Sequence, residues 1–167
     1  MLSILVVEDD KGIQANLNIL FKAEGYKVIS AYNGLGALKK LESELPDLII
    51  SDIMMPYVDG IELYKKIKEE YKLQQTPFIF LTAKSDSVSI RQGLGLGADD
   101  YITKPFENED VLQAIKVRLE KKKMFIDQIE NLKQNLNKYV PHELRTPLVS
   151  ILGFSEMMIN DIDELDK

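Results

Sequence analysis

The sequence predicts an open α/β sheet of five βα units followed by a helical extension. Short apolar runs alternate with stretches of helical period over about the first 100 residues. Acidic, hydroxyl and basic residues stand where those runs end, and beyond residue 120 only the helical period continues.

The runs are Leu2–Val7, Lys27–Ala31, Asp47–Ser51, Phe78–Thr82 and Asp100–Thr103. They are rich in Ile, Val and Phe, a length and composition suited to strands buried on both faces. Between them lie helical patterns at Ile13, Leu17, Leu20 and Phe21, at Leu35, Leu38 and Leu41, and at Leu63, Ile67 and Tyr71, with a weaker one from Ser85 to Leu96. Strands alternating with helices imply right-handed crossovers and a parallel sheet. The fifth helix begins near Phe106, and Leu112, Ile115 and Leu119 give it a face for the sheet. Lys121, Lys122 and Lys123 interrupt that register, and a new stripe follows at Phe125, Ile129, Leu132, Leu136 and Tyr139. Its spacings of 4, 3, 4 and 3 make a seam about two heptads long. After Pro141 the stripe resumes in shifted phase at Leu144, Leu148, Ile151, Ser155, Met158 and Ile162. An apolar stripe with nothing left in the chain to cover it predicts a partner. Parallel self-association into a homodimer is expected, against the alternative of a helix folded back on its own domain. The expected division is 1–120, 121–140 and 141–167.

Composition narrows the function. The 167 residues are 45% apolar and 29% charged, with a formal charge of −6, which argues against a nucleic-acid surface built on clustered Lys and Arg. With no cysteine there is neither a disulfide framework nor a thiolate metal site, in keeping with a cytoplasmic location. No apolar run approaches the roughly 18 residues of a membrane span, and "MLSILVVEDD" is too short and acidic for a signal peptide.

In open α/β sheets, ligands bind at the carboxyl ends of the strands. There the first run ends in Glu8, Asp9 and Asp10, the third in Asp52, the fourth in Thr82, and the fifth runs into Lys104. Carboxylates gathered in one pocket repel one another and either stay partly protonated or recruit a cation. Oxygen-only ligands in a small site suit Mg²⁺. A lone Asp at a strand end is ordinarily a helix N-cap, and Asp10 is explained that way. Five groups at four strand ends are not. The acidic turn also counts against a nucleotide or flavin site, which needs a glycine-rich loop there. "GLGLGADD" precedes a strand where a dinucleotide fingerprint follows one.

"ILVVEDD", "PDLIISDIMMPYVDG", "FIFLTAK" and "GADDYITKPF" together resemble the receiver domain of two-component response regulators, over roughly residues 1 to 120. The resemblance implies a doubly wound, flavodoxin-like fold with strand order 2-1-3-4-5. It implies Asp52 as phosphoacceptor, with a histidine kinase or phosphotransfer protein as donor. Mg²⁺ would be held by Asp9, Asp52 and the backbone carbonyl of Met54, with Glu8 acting through water. Thr82 and Lys104 would bind phosphoryl oxygens, the Lys104–Pro105 bond would be cis, and Tyr101 would turn inward when Thr82 moves. The readout surface would then be the fourth helix, the fifth strand and the fifth helix.

"HELRTPL", His142 to Leu148, resembles the H-box of histidine kinases. It implies His142 as a second phosphoacceptor, Glu143 as the base that takes or orients its other ring proton, and Thr146 as a positioner of water in dephosphorylation. Pro147 would bend the helix, and Pro141 would open a new one. No nucleotide-binding motif follows in these 167 residues, so this chain is expected not to phosphorylate His142 from ATP. The expected whole is a hybrid histidine kinase whose receiver controls the dimerisation helix. The alternative is a stand-alone receiver whose helix docks on a separate kinase.

Overall fold

In the computed structural model, residues 1–69, 73–83, 97–139 and 142–161 are described. The elements are β1 (Ser3–Val7), α1 (Lys11–Ala23), β2 (Lys27–Ala31), α2 (Gly34–Leu41), β3 (Leu48–Asp52), α3 (Gly60–Glu69), β4 (Phe78–Ala83), β5 (Asp100–Lys104), α4 (Asn108–Tyr139) and α5 (His142–Asp161). The segment expected to be helical from Ser85, together with Tyr71, Val140, Pro141 and Ile162, lies outside the described residues.

All five strands pair in parallel in the order β2-β1-β3-β4-β5. Side chains alternate between the two faces of a strand, so each continuous apolar run feeds two cores. Leu5, Val7, Ile49, Phe78 and Phe80 join Leu63, Tyr64 and Ile67 of α3 on one face. Ile4, Val6, Leu48, Ile50, Ile79 and Leu81 join Leu17 and Phe21 of α1 and Val111 and Ile115 of α4 on the other. This is why the central strands show no alternation of polar and apolar residues. β5 departs from that expectation. It is the edge of the sheet, and its residues alternate between half-buried and exposed, with Tyr101 41% exposed.

In α2 the expected stripe is rotated. Leu35 is 60% exposed, while Gly34 and Ala37 are buried. The cause is close packing: a Cβ on Gly34 would sit 2.5 Å from Val58 Cγ1, so only a bare backbone fits there.

Val58 belongs to the loop after β3, which is tightly constrained. The Gly60 N–H donates to the Ile53 carbonyl at 2.9 Å, and a Cβ on Gly60 would lie 2.2 Å from the Asp52 carbonyl oxygen. Between Pro56 and the buried Val58, Tyr57 is forced to φ 73° and is 85% exposed. A bulky side chain in the left-handed region costs about 1–2 kcal/mol. Tyr57→Gly is therefore expected to raise unfolding free energy by about 1 kcal/mol, net of the backbone entropy of glycine, in a urea titration. An unchanged or lower midpoint would mean that the exposed ring compensates the strain.

The chain divides into two units, Met1–Glu120 and Lys121–Lys167. In the second, Phe125 and Leu132 of the expected seam are 50% and 62% exposed, and Met124 and Ile126 beside it are exposed too. α5 starts at His142 and carries Pro147 inside it, and the Ser150 hydroxyl donates to the Thr146 carbonyl one turn back at 2.9 Å. Leu144, Val149, Ile151 and Phe154 of α5 are exposed. Among the described residues, no helix is long and apolar enough to cross a membrane.

Candidate functional site

The strand order reverses direction between β1 and β3, the place where an open α/β sheet leaves a crevice at its carboxyl edge. Val7 pairs with Ser51, so Glu8, the residue after β1, comes level with Asp52 at the end of β3. Asp52 pairs with Leu81, which places Thr82 one residue further out on β4, and Ala83 pairs with Lys104 on β5. Residues 96 and 52 positions apart in the chain thus meet: Lys104 Nζ lies 2.7 Å from Glu8 Oε2 and 2.5 Å from Asp52 Oδ2. Ligand oxygens of Glu8, Asp9 and Asp52 lie within 4.8 Å of one another.

The surroundings are asymmetric. Glu8 is fully buried and Asp52 is 7% exposed, whereas Asp9 is open to solvent. Burial pushes the Glu8 carboxyl up to about 7, the nearby Asp52 charge adds to this, and the Lys104 hydrogen bond only partly opposes it. Burial also disfavours the Lys104 ammonium, but its hydrogen bonds to Asp52 and Glu8 and their charges outweigh that and hold it above its ordinary value. Asp52 Oδ1 accepts the Met54 N–H at 3.1 Å, so both carboxylate oxygens of Asp52 have protein donors. Thr82 is fully buried, and its hydroxyl donates to the Ala83 carbonyl at 3.3 Å.

The five strand-end groups Glu8, Asp9, Asp52, Thr82 and Lys104 therefore come to one edge of the sheet. Asp10 does not join them. Its carboxylate accepts the Gly12 and Ile13 N–H groups at 2.8 and 2.9 Å and caps α1, and these bonds lower its pKa. The Lys104–Pro105 bond is cis. An open cavity of about 450 Å³, lined by Ile13, Asn16, Leu17, Pro105 and Phe106, adjoins Lys104. His142 lies in the second unit, and its side chain and that of Glu143 are outside the described residues.

One residue of the site escaped the sequence reading. Gln14 is 2% exposed and donates from Nε2 to the carbonyls of Ala31 at 2.6 Å and Glu8 at 3.2 Å. Its signal was a polar residue in register with Leu17 and Phe21 on the buried stripe of α1.

Residues 4–116 match the family model of the response regulator receiver domain. The chain belongs to that family. The receiver is 46% identical over 116 residues to the alkaline phosphatase synthesis transcriptional regulatory protein PhoP of Bacillus subtilis, covering 70% of this chain and 48% of that protein. The chain thus spans about half the length of this relative. Among solved structures, a CheY-like receiver domain protein from Methanospirillum hungatei superimposes with a TM-score of 0.70 at 31% identity, covering 74% of this chain and 98% of that one. The receiver domain of a signal transduction histidine kinase from Syntrophus aciditrophicus gives 0.68 at 36% identity, covering 72% and 92%. The receiver has the flavodoxin-like arrangement of these relatives, and its place is in two-component signalling, where receivers take phosphoryl groups from histidine kinases or phosphotransfer proteins. Receivers bind Mg²⁺ at an acidic pocket, and the chemistry here fits one: three hard oxygen donors gathered at one edge of the sheet, with burial of Glu8 pushing its carboxyl up to about 7 despite the Lys104 hydrogen bond.

Proposed function

We propose that Asp52 is the phosphoacceptor and that its phosphorylation controls the helix carrying His142. The observation that carries this is Lys104 bridging Asp52 and Glu8, with Asp9 beside them, at the crevice of the sheet. A carboxylate oxygen of Asp52 attacks phosphorus. The new O–P bond forms as the bond from phosphorus to the donor breaks, and the electron pair leaves with the donor. Asp9, Asp52 and the backbone carbonyl of Met54 would hold Mg²⁺, with Glu8 acting through water, and the ion would supply positive charge to offset that of the phosphoryl oxygens. Lys104 gives up its bond to Asp52 and neutralises a phosphoryl oxygen, and the Thr82 hydroxyl turns from the Ala83 carbonyl to another. Space vacated by Thr82 lets Tyr101, half out of the sheet edge, rotate inward and alter the surface of β5 and α4. A donor histidine would rest at the cavity beside Lys104.

The output, in this proposal, is a kinase dimerisation helix, with residues 121–140 as linker and 141–167 as the start of the phosphoacceptor helix. "HELRTPL" at the start of α5 supports this, as does the exposed seam of Phe125 and Leu132, which a second copy would cover. PhoP, a transcriptional regulatory protein by name, favours a second reading in which the receiver serves an effector of transcription. That similarity covers 116 residues, about the extent of the receiver, and says nothing of the helix behind it.

Intact-mass analysis after incubation with Mg²⁺ and a small acyl-phosphate donor tests the acceptor. One phosphoryl adduct is expected, dependent on Mg²⁺, lost in Asp52→Asn and kept in His142→Ala. An adduct that survives Asp52→Asn and disappears in His142→Ala would move the acceptor role to the histidine. No adduct in the wild type would end the proposal for Asp52.

A further inference from the structure

We infer that Gln14 is a positioning residue for the metal-binding carboxylates: its side-chain amide sets the orientation of the peptide unit between Glu8 and Asp9. The inference rests on the reading of Glu8, Asp9 and Asp52 as the Mg²⁺ site.

Glu8 and Asp9 flank a single peptide unit, whose carbonyl is Glu8 O. That oxygen accepts the Gln14 amide at 3.2 Å. The same amide donates to Ala31 O at 2.6 Å, and Ala31 O also accepts the Glu8 N–H at 3.1 Å. Gln14 thus ties the ends of β1 and β2 together at the point where the acidic turn leaves the sheet. Its backbone grips the other end of that turn, because the Gln14 N–H donates to the Asp10 carbonyl at 2.9 Å. The Asp10 N–H folds back to Glu8 Oε1 at 3.3 Å. One residue therefore holds the turn from Glu8 to Asp10 at both ends.

A buried amide is an expensive choice for a helix face that otherwise buries Leu17 and Phe21. An apolar residue of the same shape fills the space, and Glu8 N–H already satisfies Ala31 O. The second donor, aimed at Glu8 O, is what an apolar residue cannot supply. Without it the Glu8 carbonyl loses its bond to the Gln14 amide, and a rotation of the Glu8–Asp9 peptide shifts both carboxylates relative to Asp52. Groups that orient metal ligands typically contribute 10–100-fold to metal affinity.

The test compares wild type, Gln14→Met, which keeps length and loses both donors, and a core control on α4, Ile115→Val or Ile115→Ala, whichever matches the Tm loss of Gln14→Met. Two readouts are taken across a Mg²⁺ series: the rise in Tm, and the Mg²⁺ concentration giving half-maximal phosphorylation by a small acyl-phosphate donor. Gln14→Met is expected to raise that concentration about tenfold and to shift the Tm response equally, while the control follows wild type. Gln14→Asn, one methylene shorter and still an amide, is expected to fall between them, and it decides the question where Gln14→Met does not fold. Wild-type Mg²⁺ dependence in the Gln14 variants, or an equal weakening in the core control, overturns the inference. A wild type that responds to Mg²⁺ in Tm but forms no adduct overturns the acceptor reading and leaves Gln14 judged by the Tm series. A wild type with no Mg²⁺ response of either kind overturns both.

Discussion

Lys104→Met is expected to lower the unfolding free energy of the metal-free protein by about 3 kcal/mol at pH 8 and to slow phosphoryl transfer to Asp52 by on the order of 100-fold. The stability effect follows from what Lys104 touches. Its ammonium is the cation bonded to both Glu8 and Asp52, whose side chains are 0% and 10% exposed. Removing one partner of a buried ion pair leaves charge without compensation, which costs more than the pair itself contributes. The loss is capped because Glu8 takes up a proton instead, so the variant should be least impaired in mild acid. Millimolar Mg²⁺ is expected to restore much of the stability, since a dication offsets the same charges, but not the transfer rate. Urea unfolding at several pH values with and without Mg²⁺, with intact-mass time courses, separates the two effects. A variant as stable as wild type at pH 8 would mean that the carboxylates do not depend on Lys104.

The second large effect is on pH. Burial, followed by the Asp52 charge, raises the Glu8 carboxyl from its ordinary 4.5 to about 7 against the pull of Lys104. Between those values the unfolded chain releases the Glu8 proton while the folded one retains it. The folded state binds more protons there, so stability falls as pH rises. The contribution is full below pH 4.5 and gone above about 7, on the order of 3 kcal/mol in total. Asp10 and Glu44 act in the opposite sense, but their lowered pKa values put their loss of stability below pH 3.8 and 4.5, outside this window. Mg²⁺ competes with the proton, so its apparent affinity should climb up to about pH 7 and then level off. Thermal melts from pH 4.5 to 8 should show the decline in the metal-free wild type and its absence in Glu8→Gln. A decline of the same size in Glu8→Gln would assign the titration to another group.

Much of the site was legible before the fold. Glu8, Asp9, Asp52, Thr82 and Lys104 stand where apolar runs stop, and the carboxyl edge of a parallel sheet is where such residues meet. Asp10 could be read as a cap because a carboxylate one residue before a helix has unpaired N–H groups in reach. Gln14 was passed over because a glutamine on a helix is ordinarily solvated, and its burial depends on the ends of two strands that sequence order does not place beside it. Leu35 was misjudged for a related reason. The period of a short helix leaves its rotation open, and the contact between Gly34 and Val58 sets that rotation.

The sequence by itself determined the alternation of strands and helices, the two-faced burial of the central strands and the chemical types at their ends, because periodicity and composition are local properties. The tertiary structure decided the rest. It made β5 an edge, brought Lys104 onto Glu8 and Asp52, drove Glu8 toward neutrality, forced Tyr57 to a positive φ and gave Gln14 its two carbonyls. Each of these depends on the distance between residues far apart in the chain, or on the volume left between packed elements, and neither quantity is carried by a local pattern.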